Sequence, residues 1–173
     1  VNAAQGRPHG LYGGAFSVAS PDAIRRATQR VDPPTISHII AIAAPNGGEG
    51  RYTAGQITRI LTTAYTGFRA AVLESERVRG APSGPVVVHS GFWGCGVFGG
   101  NRVLMSMLQM LAAEMAGVER LVLHTVSGSL LGAVDAARKV LPAARAHERG
   151  GDVREMIGVL TAMGFEWGAN EGN

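Results

Sequence analysis

Three short apolar runs alternate along the chain with longer stretches in which apolar residues recur every three or four positions. The runs occupy residues 36–43, 86–89 and 120–126. Their length and apolar character predict buried strands. The periodic stretches predict helices over residues 53–77, 101–117, 130–140 and 153–163. Ser20 followed by Pro21 predicts an earlier helix that runs to about residue 31. This alternation predicts an α/β domain with a mostly parallel sheet and helices on both faces.

A glycine-rich loop, residues 91–100, follows the second predicted strand directly. Such sheets bind ligands beyond the carboxyl ends of their strands. Five glycines would let backbone N–H groups point towards one position, and a helix starting near Asn101 would reinforce an anion site there. Phe92, Trp93 and Phe98 would add flat apolar surface, so we expect a phosphate attached to a ring or sugar. The simpler alternative is a tight turn without a ligand.

Other interpretations of this region remain open. Gly94-x-Gly96-x-x-Gly99 also matches a dinucleotide fingerprint, but the third predicted strand ends in His124-Thr125-Val126-Ser127, without the Asp or Glu that this fingerprint requires. Cys95 could be a nucleophile activated by a helix N-terminus, or a small buried side chain. His89 is expected to face the core or sheet. The other histidines have no metal-ligand spacing and are expected at the surface or in packing, so no metal site is predicted.

Composition narrows the class of protein. The 173 residues suit one domain, 1–173. A net charge of +3 without charge blocks favours an anionic ligand and argues against direct nucleic-acid binding. No apolar run is long enough to cross a membrane. The single cysteine cannot form a disulfide within the chain, so a reducing location, cytoplasmic or nuclear, is expected.

The segment Trp93–Gly100 resembles the diphosphate-binding segment of poly(ADP-ribose) glycohydrolases, which have a macrodomain core. Residues 39–42 resemble a strand of that family, Tyr65–Phe68 one of its helices, and the segment from Tyr12 another motif. The resemblance runs from about residue 10 to 164. It implies a three-layer α/β/α macrodomain with a mixed sheet. It also implies ADP-ribose, poly(ADP-ribose) or ADP-ribosylated proteins as partners, and no cofactor.

The resemblance also assigns substrate-binding residues. Glycines of the loop would cradle the diphosphate, and Phe98 would pack against a ribose. The full expected set is Tyr12, Phe92, Trp93, Gly94, Cys95, Gly96, Val97, Phe98, Gly99 and Gly100.

Several features depart from the family pattern. The family has Asn at the position of Phe92, and Thr125-Val126-Ser127-Gly128 replaces a segment whose Phe stacks on adenine. The family's catalytic Gly-Gly-Gly and Gln-Glu-Glu triplets do not occur in residues 1–173. Glycoside cleavage needs a carboxylic acid to protonate the leaving oxygen. We therefore expect a domain truncated on its N-terminal side, with no catalytic residue in this chain, and a disordered tail over residues 168–173.

The leading hypothesis is therefore a poly(ADP-ribose) glycohydrolase that hydrolyses ribose–ribose bonds, of which this chain alone is inactive. A catalytically inactive ADP-ribose-binding macrodomain is the alternative. A nicotinamide-dependent oxidoreductase is a third, weaker hypothesis.

Overall fold

The computed structural model describes residues 18–27, 32–34, 36, 38–80, 84–125, 128–148 and 152–168. The chain divides into two compact units, residues 40–172 and residues 1–39 with Asn173. In the second of these, helix α1 spans Pro21–Ala27. The Ser20 Oγ accepts a hydrogen bond from the Ala23 N–H at 3.2 Å, which confirms the predicted helix start. The predicted continuation over residues 28–31 lies outside the described residues.

Residues 40–172 hold the other regular elements. They are α2 (Ala54–Arg79), β1 (Val87–Ser90), α3 (Arg102–Ala116), β2 (Arg120–Leu123), a 3₁₀ turn (Gly128–Leu130), α4 (Leu131–Glu148) and α5 (Val153–Ala162). Local signals explain the helix ends. Thr53 forms a capping box with Gln56 at the start of α2, and Gly117 ends α3 in the left-handed region at φ 77°. The helices predicted for this unit are therefore confirmed, with one difference in length.

Helix α4 continues past the predicted end at residue 140 and contains Pro142. Proline in a helix interior removes one backbone hydrogen bond. Packing offsets this cost, because Leu141 and Ala144 are buried on either side of the proline. Arg145 Nε also donates to Glu114 of α3 at 2.8 Å. The tertiary contacts of α4 thus override the local helix-breaking signal.

The sheet in the described residues consists of β1 and β2, which pair in parallel with Val87 opposite Arg120 and Ser90 opposite Leu123. Arg51 and Glu166 add one isolated antiparallel bridge. The second and third of the three predicted strands form, but β1 is only partly buried. The result is a mixed α/β structure with parallel strands, as the sequence predicts.

The strand predicted over residues 36–43 was wrong for the part of this segment that the structure describes. Ile36 and Ile39 are 90% and 86% exposed. Ile40 and Ile42 instead contact α2 at Gly67, where an added Cβ would lie 3.0 and 2.9 Å from their methyl groups. The apolar pattern correctly indicates that part of the segment packs against the protein, but a strand also needs a neighbouring strand for its backbone hydrogen bonds. The described residues supply none for this segment.

Helix α3 is the centre of the hydrophobic core. It packs against α2, α4 and β2, and most of its side chains are fully buried. Two polar side chains share that burial. Gln109 is hydrogen-bonded to Gly91 and Met105, whereas the Ser106 Oγ is buried without a partner among the described atoms. Among the described residues, no helix is long and apolar enough to cross a bilayer.

Replacing Ser106 with alanine should therefore raise the free energy of unfolding by about 1 kcal/mol, because the substitution removes an unsatisfied buried hydroxyl. Urea denaturation measures this change. Leu108→Ala is the control on the same helix and should lower stability by about 2–5 kcal/mol. A loss of stability in Ser106→Ala would mean that the hydroxyl has a partner.

Candidate ligand-binding cleft

The glycine-rich loop joins β1 to α3 and folds back on itself. Four backbone hydrogen bonds close it: Trp93 N to Gly91 O at 2.8 Å, Cys95 N to Phe92 O at 3.0 Å, Gly99 N to Gly96 O at 2.9 Å, and Gly100 N to Gly94 O at 2.9 Å. These N–H groups are satisfied inside the loop. They therefore define its shape rather than offer donors to a ligand.

Only some of the loop glycines are required by this shape. Gly94 and Gly99 have φ angles of 75° and 63°, a region that side chains rarely adopt. A Cβ on Gly100 would lie 2.6 Å from the Gly94 carbonyl oxygen. Gly96 has no neighbouring atom within 4 Å of a Cβ and no positive φ. The close contact between Gly94 and Gly100 is thus the tightest point of the loop.

The loop is held at both ends. On one side, the buried Gln109 side chain of α3 donates to the Gly91 carbonyl at 3.1 Å. On the other, the Gly168 N–H donates to the Gly99 carbonyl at 2.7 Å. Gly168, which we expected in a disordered tail, therefore has a defined contact. Residues 169–173 of that predicted tail lie outside the described residues.

A cleft of about 680 Å³ opens beside this loop. Its lining residues are Asn46, Gly47, Gly48, Glu49, Val97, Phe98, Gly99 and Gly168. Phe98 and Val97 are 41% and 47% exposed, so both present apolar surface to the cleft. The loop forms one wall and residues 46–49 form the other. This volume falls in the range typical of small-molecule sites.

The tip of the loop, residues 96–98, carries three consecutive backbone N–H groups beside the cleft. Within the described part of the chain, the N–H groups of Val97 and Phe98, which line the cleft, and of the adjacent Gly96 donate no backbone hydrogen bond. Successive backbone N–H groups in a turn form concavities that bind anions. The donors available to a ligand are therefore fewer than the sequence suggested, and they lie at the exposed tip of the loop.

An aromatic pair supports the opposite wall. Tyr52 and Trp167 stack with ring centroids 4.2 Å apart and planes 16° from parallel. Gly48 lies against the indole, since a Cβ there would be 2.3 Å from Trp167. Burial raises the pKa of Tyr52 from 10.0 to about 12, although its oxygen accepts a hydrogen bond from the Asn101 N–H. The phenol is therefore neutral at physiological pH.

Sequence reasoning missed this opposite wall. Residues 44–48 directly follow the strand predicted over residues 36–43, and no binding role was expected for them. The Asn-Gly-Gly run was an available signal, because such runs mark tight backbone turns. Nothing local pointed to Trp167, which lies more than 60 residues beyond the glycine-rich loop.

Other expected site residues lie elsewhere. Phe92 and Trp93 are partly buried and pack against the core. Cys95 is 4% exposed, and its Sγ lies 3.6 Å from the Trp93 carbonyl oxygen. That burial favours the packing role for the cysteine over the nucleophile. Tyr12 lies outside the described residues. Ligand contact by these four residues stays a prediction.

Comparison of the sequence with known protein families assigns the chain to one of them. The family described as poly(ADP-ribose) glycohydrolase (PARG), macro domain fold, matches residues 11–131. The chain belongs to the poly(ADP-ribose) glycohydrolase family. The matched range includes α2, both strands, the glycine-rich loop and α3. It confirms the resemblance and the macro domain fold.

Membership of the poly(ADP-ribose) glycohydrolase family implies glycosidase activity in general and binding of ADP-ribose or its polymer. It also weakens the dinucleotide-fingerprint interpretation of Gly94, Gly96 and Gly99. Strand β2 ends at Leu123 and is followed by His124 and Thr125, so no carboxylate stands where a nucleotide ribose would be bound.

Gly100→Ala should lower the free energy of unfolding by about 1–3 kcal/mol, because its Cβ would displace the Gly94 carbonyl and weaken the hydrogen bond that closes the loop. Gly96→Ala is the matched control and should change stability by less than about 0.5 kcal/mol. Chemical denaturation of both variants tests the pair. If Gly100→Ala and Gly96→Ala had equal unfolding free energies, Gly100 would not lie in close contact with the Gly94 carbonyl, and the loop would have a different shape.

Tyr52 gives a pH-dependent prediction. Its folded-state pKa is about 12, above the 10.0 of the unfolded chain, so its contribution to stability is complete below pH 10 and is lost as the pH rises through about 12. The difference in unfolding free energy between the parent and Tyr52→Phe should therefore shift over this range in favour of the variant. Denaturation at pH 8 to 12 measures it, and a constant difference would contradict the prediction.

Proposed function

We propose that this chain is the diphosphate-binding part of a poly(ADP-ribose) glycohydrolase. The observation that carries the proposal is the row of N–H groups at residues 96–98, of which Val97 and Phe98 line the cleft. A diphosphate spreads its charge over several oxygens and suits such backbone donors. Family membership supplies the reason to choose ADP-ribose among diphosphates.

The neighbouring side chains fit the rest of such a ligand. The exposed ring of Phe98 offers an apolar face beside the donors, where a ribose can pack. Asn46 on the opposite wall offers an amide that can donate and accept hydrogen bonds. The diphosphate, a ribose and a polar group of ADP-ribose would therefore each find a suitable partner in one cleft: the backbone N–H groups, the Phe98 ring and the Asn46 amide.

Cleavage is a separate requirement. Hydrolysis of a ribose–ribose bond needs an acid for the leaving oxygen and a group that stabilises or activates the attacking side. Among the described residues that line the cleft, Glu49 is the one carboxylate, and it is exposed. The Gln-Glu-Glu triplet does not occur in residues 1–173. We therefore propose that these residues bind ADP-ribose without cleaving the polymer by themselves.

The absence of that triplet also supports a second candidate function, an ADP-ribose-binding macro domain without hydrolase activity. The two candidates agree on the ligand and differ in turnover by the protein as it occurs in its cell. Release of ADP-ribose from poly(ADP-ribose) by that protein supports the glycohydrolase. Binding of the polymer without release supports the binding domain.

Calorimetry on the 173-residue chain tests the binding proposal. ADP-ribose should bind, ADP should compete with it, and adenosine should not, because adenosine lacks the diphosphate. Phe98→Ala should weaken binding by about tenfold through loss of one aromatic contact. Leu131→Ala, which removes a similarly exposed apolar side chain from α4 outside the cleft, should leave the affinity unchanged.

The absence of measurable heat at millimolar ADP-ribose would overturn the proposal. If adenosine competed as well as ADP, the protein would recognise the nucleoside and not the diphosphate. Cleavage of the polymer by the 173-residue chain would overturn the statement that these residues only bind.

A further inference from the structure

Trp167 and Gly168 join the two walls of the cleft. The Trp167 N–H donates to the Gly50 carbonyl at 2.9 Å, and Gly50 directly follows the wall formed by residues 46–49. The Gly168 N–H donates at 2.7 Å to the carbonyl of Gly99, which belongs to the glycine-rich loop. Two adjacent residues thus bond to opposite sides of the cleft, and this short segment links the positions of the walls.

Trp167 also supports one wall directly, through Gly48. A Cβ on Gly48 would lie 2.3 Å from both the Nε1 and the Cε2 of the indole, closer than two such atoms can approach. Gly48 has no positive φ that would itself require glycine. Contact with the indole is therefore the reason that this position of the wall needs glycine.

The indole has little freedom to move away from Gly48. It stacks on Tyr52, which is 3% exposed and therefore fixed in the core. The Tyr52 hydroxyl accepts a hydrogen bond from the Asn101 N–H at the start of the buried helix α3. The Trp167 Nε1 is buried without a hydrogen-bond partner among the described atoms, so the indole acts through its shape. A larger residue at position 48 would therefore displace the wall and not the ring.

The two walls are close enough for such a displacement to change the cleft. A Cβ on Gly47 would lie 3.7 Å from the Phe98 carbonyl oxygen, which is an ordinary contact distance. Asn46, Gly47 and Gly48 line the cleft, whereas Trp167 lies behind them and is not part of the lining. A shift of the wall by the width of a methyl group would move the Asn46 amide relative to the backbone donors of the loop.

We propose that Trp167 is a positioning residue for ADP-ribose: it sets the place of the wall at residues 46–48, and with it the width of the cleft, without touching the ligand. This inference rests on the proposed ADP-ribose site and adds the residue that adjusts the site to the part of the ligand beyond the diphosphate. The N–H groups of residues 96–98 belong to the other wall. Displacement of the 46–48 wall should therefore weaken binding of the whole ligand and leave binding of a free diphosphate unchanged.

Gly48→Ala tests this role with two ligands on the 173-residue chain. Calorimetry should show about tenfold weaker binding of ADP-ribose, which corresponds to the loss of one hydrogen bond such as that proposed for Asn46. Inorganic pyrophosphate, as a competitor of ADP-ribose, should bind the parent and the variant equally. A variant with a distorted glycine-rich loop would instead lose affinity for both ligands. Gly55→Ala, at a position with open space around it, is the matched control and should change neither affinity.

Removal of the indole gives a second readout. In Trp167→Leu, a Cβ at position 48 no longer meets the ring, so adding Gly48→Ala should change the ADP-ribose affinity by less than about twofold in that background. Circular dichroism at the assay temperature verifies that each variant is folded. If Trp167→Leu does not fold, the comparison of the two ligands on Gly48→Ala decides.

Three results would overturn the role of Trp167 and leave the proposed binding site standing. They are an ADP-ribose affinity that Gly48→Ala does not change, an equal loss of affinity for pyrophosphate, and the same tenfold effect of Gly48→Ala in the Trp167→Leu background. If the parent bound neither ADP-ribose nor pyrophosphate, the proposed function itself would fail, and this inference with it.

Discussion

Asn101 joins the three segments on which the cleft depends. Its side-chain oxygen accepts from the N–H groups of Val103 and Leu104, both at 3.1 Å, and so begins α3 at the end of the glycine-rich loop. Its side-chain nitrogen donates to the Glu166 carbonyl at 2.9 Å, and its backbone N–H donates to the Tyr52 hydroxyl at 2.9 Å. One residue thus fixes the helix start, the segment carrying Trp167 and the start of α2.

The rigidity of this arrangement comes from α3. Because that helix is buried on nearly all sides, its first turn cannot move without disturbing the core. The loop is attached to it at Asn101 and, through Gln109, at Gly91. A short loop fixed at both ends keeps its free N–H groups in one orientation before a ligand arrives. Such preorganisation lowers the entropy that binding must overcome.

The sequence predicted the parts of the fold that depend on local signals. Thr53 and Asn101 cap their helices through their own side chains, and Gly117 ends α3 because it tolerates a positive φ. The parallel pair of strands also followed from short apolar runs separated by a helical period. The glycine-rich loop could be recognised from the sequence because its conformation needs glycine at several positions, and these glycines stand close together in the chain.

The parts that sequence reasoning missed depend on contacts between distant residues. The stack of Tyr52 on Trp167 joins side chains that are far apart in the sequence. So does a contact between two histidines: His89, which was expected to face the core or sheet, is exposed, and its Nδ1 lies 2.8 Å from the Nε2 of His124. Spacing along the chain cannot reveal a histidine pair that forms across two strands. The predicted strand over residues 36–43 failed for a related reason, since an apolar run does not show whether a pairing partner is present.

In the site that we propose, binding by backbone donors would let the loop depart from its family pattern and still hold an anion. The family has asparagine where this chain has Phe92, yet the Phe92 side chain packs towards the core and not into the cleft. The N–H groups at residues 96–98 do not depend on side-chain identity. They depend on the loop conformation, which Gly94, Gly99 and Gly100 determine. In the proposed site, the conformation at these glycines would therefore constrain binding more strongly than the identity of the aromatic residues between them.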